Sequence, residues 1–121
     1  MFKVAVYGTL KKGKHNHHLM DKLGCTFLGD AKTIEKYPLI FDGRLPFLFE
    51  ENGIGENISL EIYDVNLDAL NALDKFEGHP YFYCRKEIEC RFDNDELVKA
   101  YVYFSAGKRS YFPKLPLLKK Y

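Results

Sequence analysis

The 121-residue chain has no tryptophan, only three cysteines and only five prolines. Cys25, Cys84 and Cys90 cannot all pair with one another, and no Cys-x-x-Cys occurs, so neither a zinc site nor a thioredoxin-like motif is indicated. Free thiols suit a reducing compartment. No apolar run approaches the ~20 residues of a membrane helix. The opening stretch Met1 to Tyr7 is too short for a signal peptide, and no small-residue cleavage pattern follows it. These absences predict a cytoplasmic protein with no membrane partner. An excess of one charge is also missing. The net charge is +1, which gives no whole-chain field for nucleic acid. Acids themselves are missing after Glu96, where Lys108, Arg109, Lys114, Lys119 and Lys120 collect. Residues 105–121 therefore read as an irregular, solvated basic tail containing Pro113 and Pro116. Repeats and linkers are absent too, so residues 1–121 read as a single domain.

What is present is apolar and aromatic. The composition is 46% hydrophobic, with 10 Phe and 9 Tyr, enough for one true core. Phe2 to Tyr7 is β-rich and stops at Gly8. Asn16 is placed to cap a short helix over His17 to Leu23, which Gly24 closes. Cys25 to Ile34 reads as a strand. Tyr37 to Phe41 and Leu45 to Phe49 flank Asp42-Gly43, a hairpin signal, and Pro38 and Pro46 push that hairpin toward an edge. Ile58, Leu60 and Ile62 alternate with polar residues in a strand reaching Val65. Asn66 to Glu77 is the clearest helix, stopped by Gly78 and Pro80. Tyr81 to Phe92 alternates, with Phe82, Cys84, Ile88, Cys90 and Phe92 on one face and Tyr81, Tyr83, Arg85 and Glu87 on the other. Leu97 to Phe104 returns as a strand. Strands and helices do not alternate regularly. The pattern predicts an α+β fold, a small mixed β-barrel of about six or seven strands with two or more short flanking helices.

One carboxylate is out of place. On a helical wheel at ~100° per residue, Leu70, Leu73 and Glu77 fall near ~300°, ~240° and ~280° from Leu67. Glu77 thus lies on the apolar stripe, where a bare charge is costly. The helix dipole and Asp74, three residues earlier, add to the desolvation. All three effects raise its pKa toward the range that general acid–base chemistry uses. Asp74, near ~340°, sits at the edge of the stripe.

The loop Tyr7-Gly8-Thr9-Leu10-Lys11-Lys12-Gly13-Lys14-His15 nearly matches G-x-x-x-x-G-K-[ST], but His15 replaces the magnesium-binding hydroxyl. A nucleotide site also needs βα repeats that this chain lacks. The loop keeps the capacity to bring main-chain N–H groups close to an anion. His15, His17 and His18 invite a metal reading, yet only His15 and His18 could share a helical face and no third ligand is near.

Val6-Tyr7-Gly8-Thr9-Leu10 resembles the signature of the γ-glutamyl cyclotransferase superfamily. Lys11-Lys12-Gly13, Asn16-His17, Tyr37-Pro38-Leu39, Glu61-Ile62-Tyr63 and Leu73-Asp74-Lys75-Phe76-Glu77, followed by Tyr83 and Arg85, resemble its γ-glutamylamine cyclotransferase branch. Plant avirulence-induced-gene proteins share the layout. The resemblance implies a small mixed β-barrel and release of 5-oxoproline from γ-glutamyl amides. It implies that Tyr7, Gly8, Thr9 and Leu10 hold the glutamyl head, that Glu77 is the catalytic acid/base, and that Tyr83 stands near the pocket. No metal or cofactor is implied. The expected partner is a small γ-glutamyl substrate, and the expected state is a monomer or weak homodimer. Leu60 departs from the pattern, standing where relatives often have Gly before Glu-x-Tyr, which leaves the local strand geometry open. A binding module that keeps the pocket without turnover is the alternative reading.

Overall fold

The computed structural model describes residues 1–121. Apolar alternation builds most of it: β1 Phe2–Val6, β2 Thr26–Tyr37, β3 Leu39–Phe41, β4 Pro46–Leu48, β5 Glu56–Val65, β6 Tyr83–Phe92 and β7 Leu97–Ser105. Helices α1 His17–Lys22 and α2 Leu67–Glu77 interrupt them, and a single 3₁₀ turn, Arg109–Tyr111, lies near the end. Five strands close a barrel in the order β1-β5-β2-β6-β7. It is mixed: β1 runs parallel to β7 and every other pair is antiparallel. The remaining two, β3 and β4, form a separate hairpin with Leu39 opposite Leu48 and Phe41 opposite Pro46. Pro38 and Pro46 supply no N–H for a barrel ladder, which is consistent with this hairpin standing apart.

The barrel wall has two buried sides, because alternate residues point opposite ways. Ala5, Ala31, Ile58, Leu60, Ile62 and Val102 fill the interior. Val4, Val6, Tyr63 and Tyr103 point outward, where α2 lays Leu70 and Leu73 over them. Leu60 is 2% exposed and pairs with Ala31 in regular register, so a side chain is accommodated at the position left open above. Cys90 is also interior, and burial pushes its thiol up to about 12, which marks a core filler and not a nucleophile.

Four expectations need correction. First, β2 does not end at Ile34 but continues to Tyr37, with irregular register between Lys32 and Lys36. Pairing with both β5 and β6 holds this strand together beyond what its own pattern suggests. Second, the barrel closes on five strands and not six or seven, because β3 and β4 pair only with each other. Along β6 the residues alternate between two faces as expected, and burial falls on both. Cys90 lies in the interior, but Tyr83 is 7% exposed while Phe82 is 51% exposed. Phe82 precedes the strand, and Tyr83 is covered from outside by the layer that includes Phe47. Third, the Asn16 side chain does not cap α1; it donates to Thr9 Oγ1 at 3.0 Å. Fourth, residues 112–121 are irregular but not a solvated tail. Phe112 and Leu115 pack on the outer layer and Leu118 on the interior cluster. The Leu118 N–H donates to the Leu39 carbonyl and the Ser59 N–H to the Lys119 carbonyl, both at 2.9 Å. The segment straps the hairpin to β5 while its lysines stay outside.

Helix α2 behaves as its sequence dictates. Asn66 Oδ1 accepts the Ala69 N–H at 2.8 Å, a side-chain cap. Gly78 ends the helix with φ +69°, a left-handed conformation that residues with a Cβ resist. The stop sets Glu77 at the last position, against the end of the barrel where β1 runs out into its loop.

Candidate active site

The loop after β1 is braced from three sides. The Gly8 carbonyl accepts the Lys11 N–H at 3.2 Å and the Thr9 carbonyl the Asn16 N–H at 2.9 Å. His17 Nδ1 contacts the Leu10 carbonyl at 2.9 Å. Glu61 Oε1 accepts both the Lys12 N–H, at 3.0 Å, and the Tyr63 hydroxyl, at 2.9 Å. The loop carbonyls are therefore occupied. The N–H groups of Gly8, Thr9 and Leu10, by contrast, donate to no protein acceptor. Successive main-chain donors without partners can receive an anion where they converge. Gly8 is required here by a close approach: a Cβ would stand 2.8 Å from Pro46 Cγ.

Tyr7, Gly8, Thr9, Leu10, Glu77 and Tyr83, all six residues singled out by sequence, line one cleft with a volume of about 140 Å³. Leu45, Pro46, Phe76 and Phe82 form much of its apolar remainder, and Glu77 is the single charged side chain in the lining. The Glu77 carboxylate makes no hydrogen bond or ion pair with another side chain, and burial pushes its pKa up to about 7. The dipole and Asp74 are not needed to explain the shift. Asp74 is turned away into a different set of bonds. Arg85 Nε and Nη2 donate to its two oxygens at 2.9 and 3.0 Å, and the Tyr103 hydroxyl donates at 2.6 Å. Burial works to raise its pKa, but these bonds outweigh it and hold the carboxyl below its ordinary value.

The two tyrosines in the cleft have already committed their protons. The Tyr7 hydroxyl donates to the Tyr103 carbonyl at 2.6 Å, and the Tyr83 hydroxyl to the Pro46 carbonyl at 2.7 Å. Burial holds both phenols well above their ordinary pKa, with the nearby Glu77 charge adding to it. Each oxygen keeps lone pairs and can accept from a cation. The cleft thus pairs a donor strip with a cluster of acceptors around one poised carboxyl. No group of three His, Cys, Asp or Glu side chains converges, and His15 and His18 are exposed.

Three contributors to the site carry weak signals in the sequence. Asn16 passed for a helix cap, and Glu61 had only a motif to recommend it. Tyr103 could have been found, since its alternation with Val102 puts it on the outer side of β7, under α2.

A sequence profile described as gamma-glutamyl cyclotransferase, AIG2-like, matches residues 4–118, and the chain belongs to this family. A gamma-glutamylaminecyclotransferase of Rattus norvegicus is 34% identical over 133 residues, spanning 100% of this chain and 89% of the relative. The crystal structure of an AIG2-like protein from Mus musculus superposes with a TM-score of 0.91 at 31% identity, covering 100% of this chain and 88% of that one. A solved gamma-glutamyl cyclotransferase shares the fold at a TM-score of 0.67 and 15% identity, covering 88% of this chain and 67% of its own.

Proposed function

We propose that the protein is a γ-glutamylamine cyclotransferase that uses Glu77 as its acid/base and releases 5-oxoproline and a free amine. The observation that carries this reading is an unpaired Glu77, pushed up to about 7, in one cleft with the three free N–H groups of the loop. The substrate α-carboxylate binds the N–H strip of Gly8, Thr9 and Leu10. Its α-ammonium sits among acceptors: the Glu77 carboxylate and the lone pairs of Tyr7 and Tyr83.

The α-ammonium lies beside its own free carboxylate and is more basic than a peptide α-amine at ~8, so transfer to Glu77 is uphill, but less so than to an ordinary carboxylate. The freed amine attacks the γ-carbonyl of its own chain, closing a five-membered ring. Holding the substrate bent for this step is the main task, because intramolecular attack needs orientation more than activation. A loop N–H next to the carbonyl steadies the oxyanion. Glu77 hands its proton to the departing nitrogen as the amide C–N bond breaks, and the second proton of the new ring nitrogen passes to the released amine or to solvent, so Glu77 ends ionised for the next cycle. The amine leaves past Phe76 and Phe82, which favours apolar leaving groups.

Three unpaired thiols support a reducing, cytoplasmic setting, and a monomer or weak homodimer is the expected state, to be checked by gel filtration. The chain is expected to work as a single domain, with the strapped segment 105–121 as part of it. The test of function is a panel of γ-glutamyl amines assayed for 5-oxoproline. Release from at least one, abolished in Glu77→Gln, supports the proposal. Ligand binding without release from any would favour the non-catalytic reading.

A further inference from the structure

The proposed chemistry uses one of two carboxylates in the last turn of α2. The other, Asp74, is the most heavily bonded acid in the protein. Arg85 from β6 grips both its oxygens, and Tyr103 from β7 adds a third bond. The main chain joins in: the His79 N–H donates to the Asp74 carbonyl at 2.9 Å, and the Arg85 N–H donates to His79 Nδ1 at 2.9 Å. Tyr103 in turn receives the Tyr7 hydroxyl on its carbonyl. One carboxylate thereby connects α2, β6, β7 and the first residue of the substrate loop. A bidentate arginine fixes orientation as well as charge.

We propose that Asp74 and Arg85 are a pair of positioning residues for Glu77, docking the helix end that carries it and cancelling the negative charge one turn away. The inference rests on Glu77 being the proton carrier. The groups packed about Glu77 are Tyr7 from the end of β1, Tyr83 from β6 and Tyr103 from β7, all held neutral. Beyond them lie Asp74 on the same helix and its partners Arg85 and His79. The phenols contribute no charge near neutrality. The intact Asp74–Arg85 pair carries no net charge, and breaking it leaves a single charge one helical turn from Glu77. Without Arg85, the Asp74 charge acts alone and raises the Glu77 pKa. Without Asp74, the Arg85 charge lowers it.

The pH dependence of kcat/KM for 5-oxoproline release tests this, read at the acidic limb where Glu77 loses its proton. Arg85→Gln is expected to move the limb up and Asp74→Asn to move it down, each by on the order of half to one pH unit. The double variant Asp74→Asn with Arg85→Gln returns the limb to its original position while kcat stays low. Arg85→Lys keeps the charge but not the two-pronged grip, so the limb stays and kcat falls. Carbon NMR titration of the Glu77 carboxyl reads the same shifts in any variant too slow to assay. If Asp74→Asn does not fold, the two Arg85 variants decide, since Tyr103 still holds Asp74 in both. Turnover retained by Glu77→Gln would count against the proton carrier and not against the pair. A Glu77 pKa unmoved in the folded single variants overturns the proposal.

Discussion

The inner and outer flanks of the last turn of α2 carry the same functional group in opposite states. On the outer flank, Asp74 has three donors and a pKa below its ordinary value. On the inner flank, Glu77 has none and is pushed up to about 7. The two residues are one helical turn apart, so sequence distance and helix dipole barely distinguish them. The partners supplied by β6 and β7 do. A carboxylate with donors is a structural anchor; a carboxylate denied them is a proton carrier.

The sharpest way to break this contrast is to neutralise each acid with its amide. Glu77→Gln should fold normally and lose turnover by roughly a thousandfold, within the range acid–base catalysis supplies. Near-native rates of 5-oxoproline release in that variant would end the assignment.

Stability should respond with opposite signs. Glu77 binds its proton more tightly when folded than when unfolded, so the stability it contributes is full below about pH 4 and is lost as pH rises through about 7. Glu77→Gln removes that loss and should stabilise the protein at pH 8 by on the order of 1–3 kcal/mol. Asp74 has a depressed pKa, so its contribution is present above the unfolded value of ~4 and is lost as pH falls. Asp74→Asn should therefore cost about 2 kcal/mol at pH 8, the scale of charged hydrogen bonds. Urea titrations at pH 8 read both, and equal signs would refute the contrast.

A smaller effect is expected across the cleft. In Gly8→Ala, the added methyl would press on Pro46 Cγ from 2.8 Å, and Pro46 carries the carbonyl that anchors the Tyr83 hydroxyl. We expect activity to fall about tenfold or more, the scale of a slightly misplaced site, with little change in the pH profile. A kinetic comparison with wild type checks it, and unchanged kcat/KM would remove the need for glycine. Smallest of all, Asn66→Ala removes the cap at the far end of α2 and should cost about 1 kcal/mol of stability. Its activity per folded molecule should match wild type, which a melt and an assay together establish.

The local devices were legible in the residues alone. Period-two alternation marked most of the strands, Asp42-Gly43 the hairpin, and Asn66 with Gly78 both ends of α2. Helical spacing put Glu77 on the apolar stripe, and the loop from Tyr7 to Leu10 announced itself through Gly8 and its surrounding motif. Such signals are readable because each depends on neighbours a few residues away. Which side chains found partners was settled by packing between distant segments. The wheel put Glu77 within the apolar stripe and Asp74 at its edge but said nothing of partners, and Arg85 and Tyr103, 11 and 29 residues beyond Asp74, reach that acid alone. Asn16 left its helix for Thr9, and Leu118 crossed the surface to bond Leu39. Long-range pairing of this kind depends on the closure of the barrel, and it separates the anchored carboxylate from the reactive one.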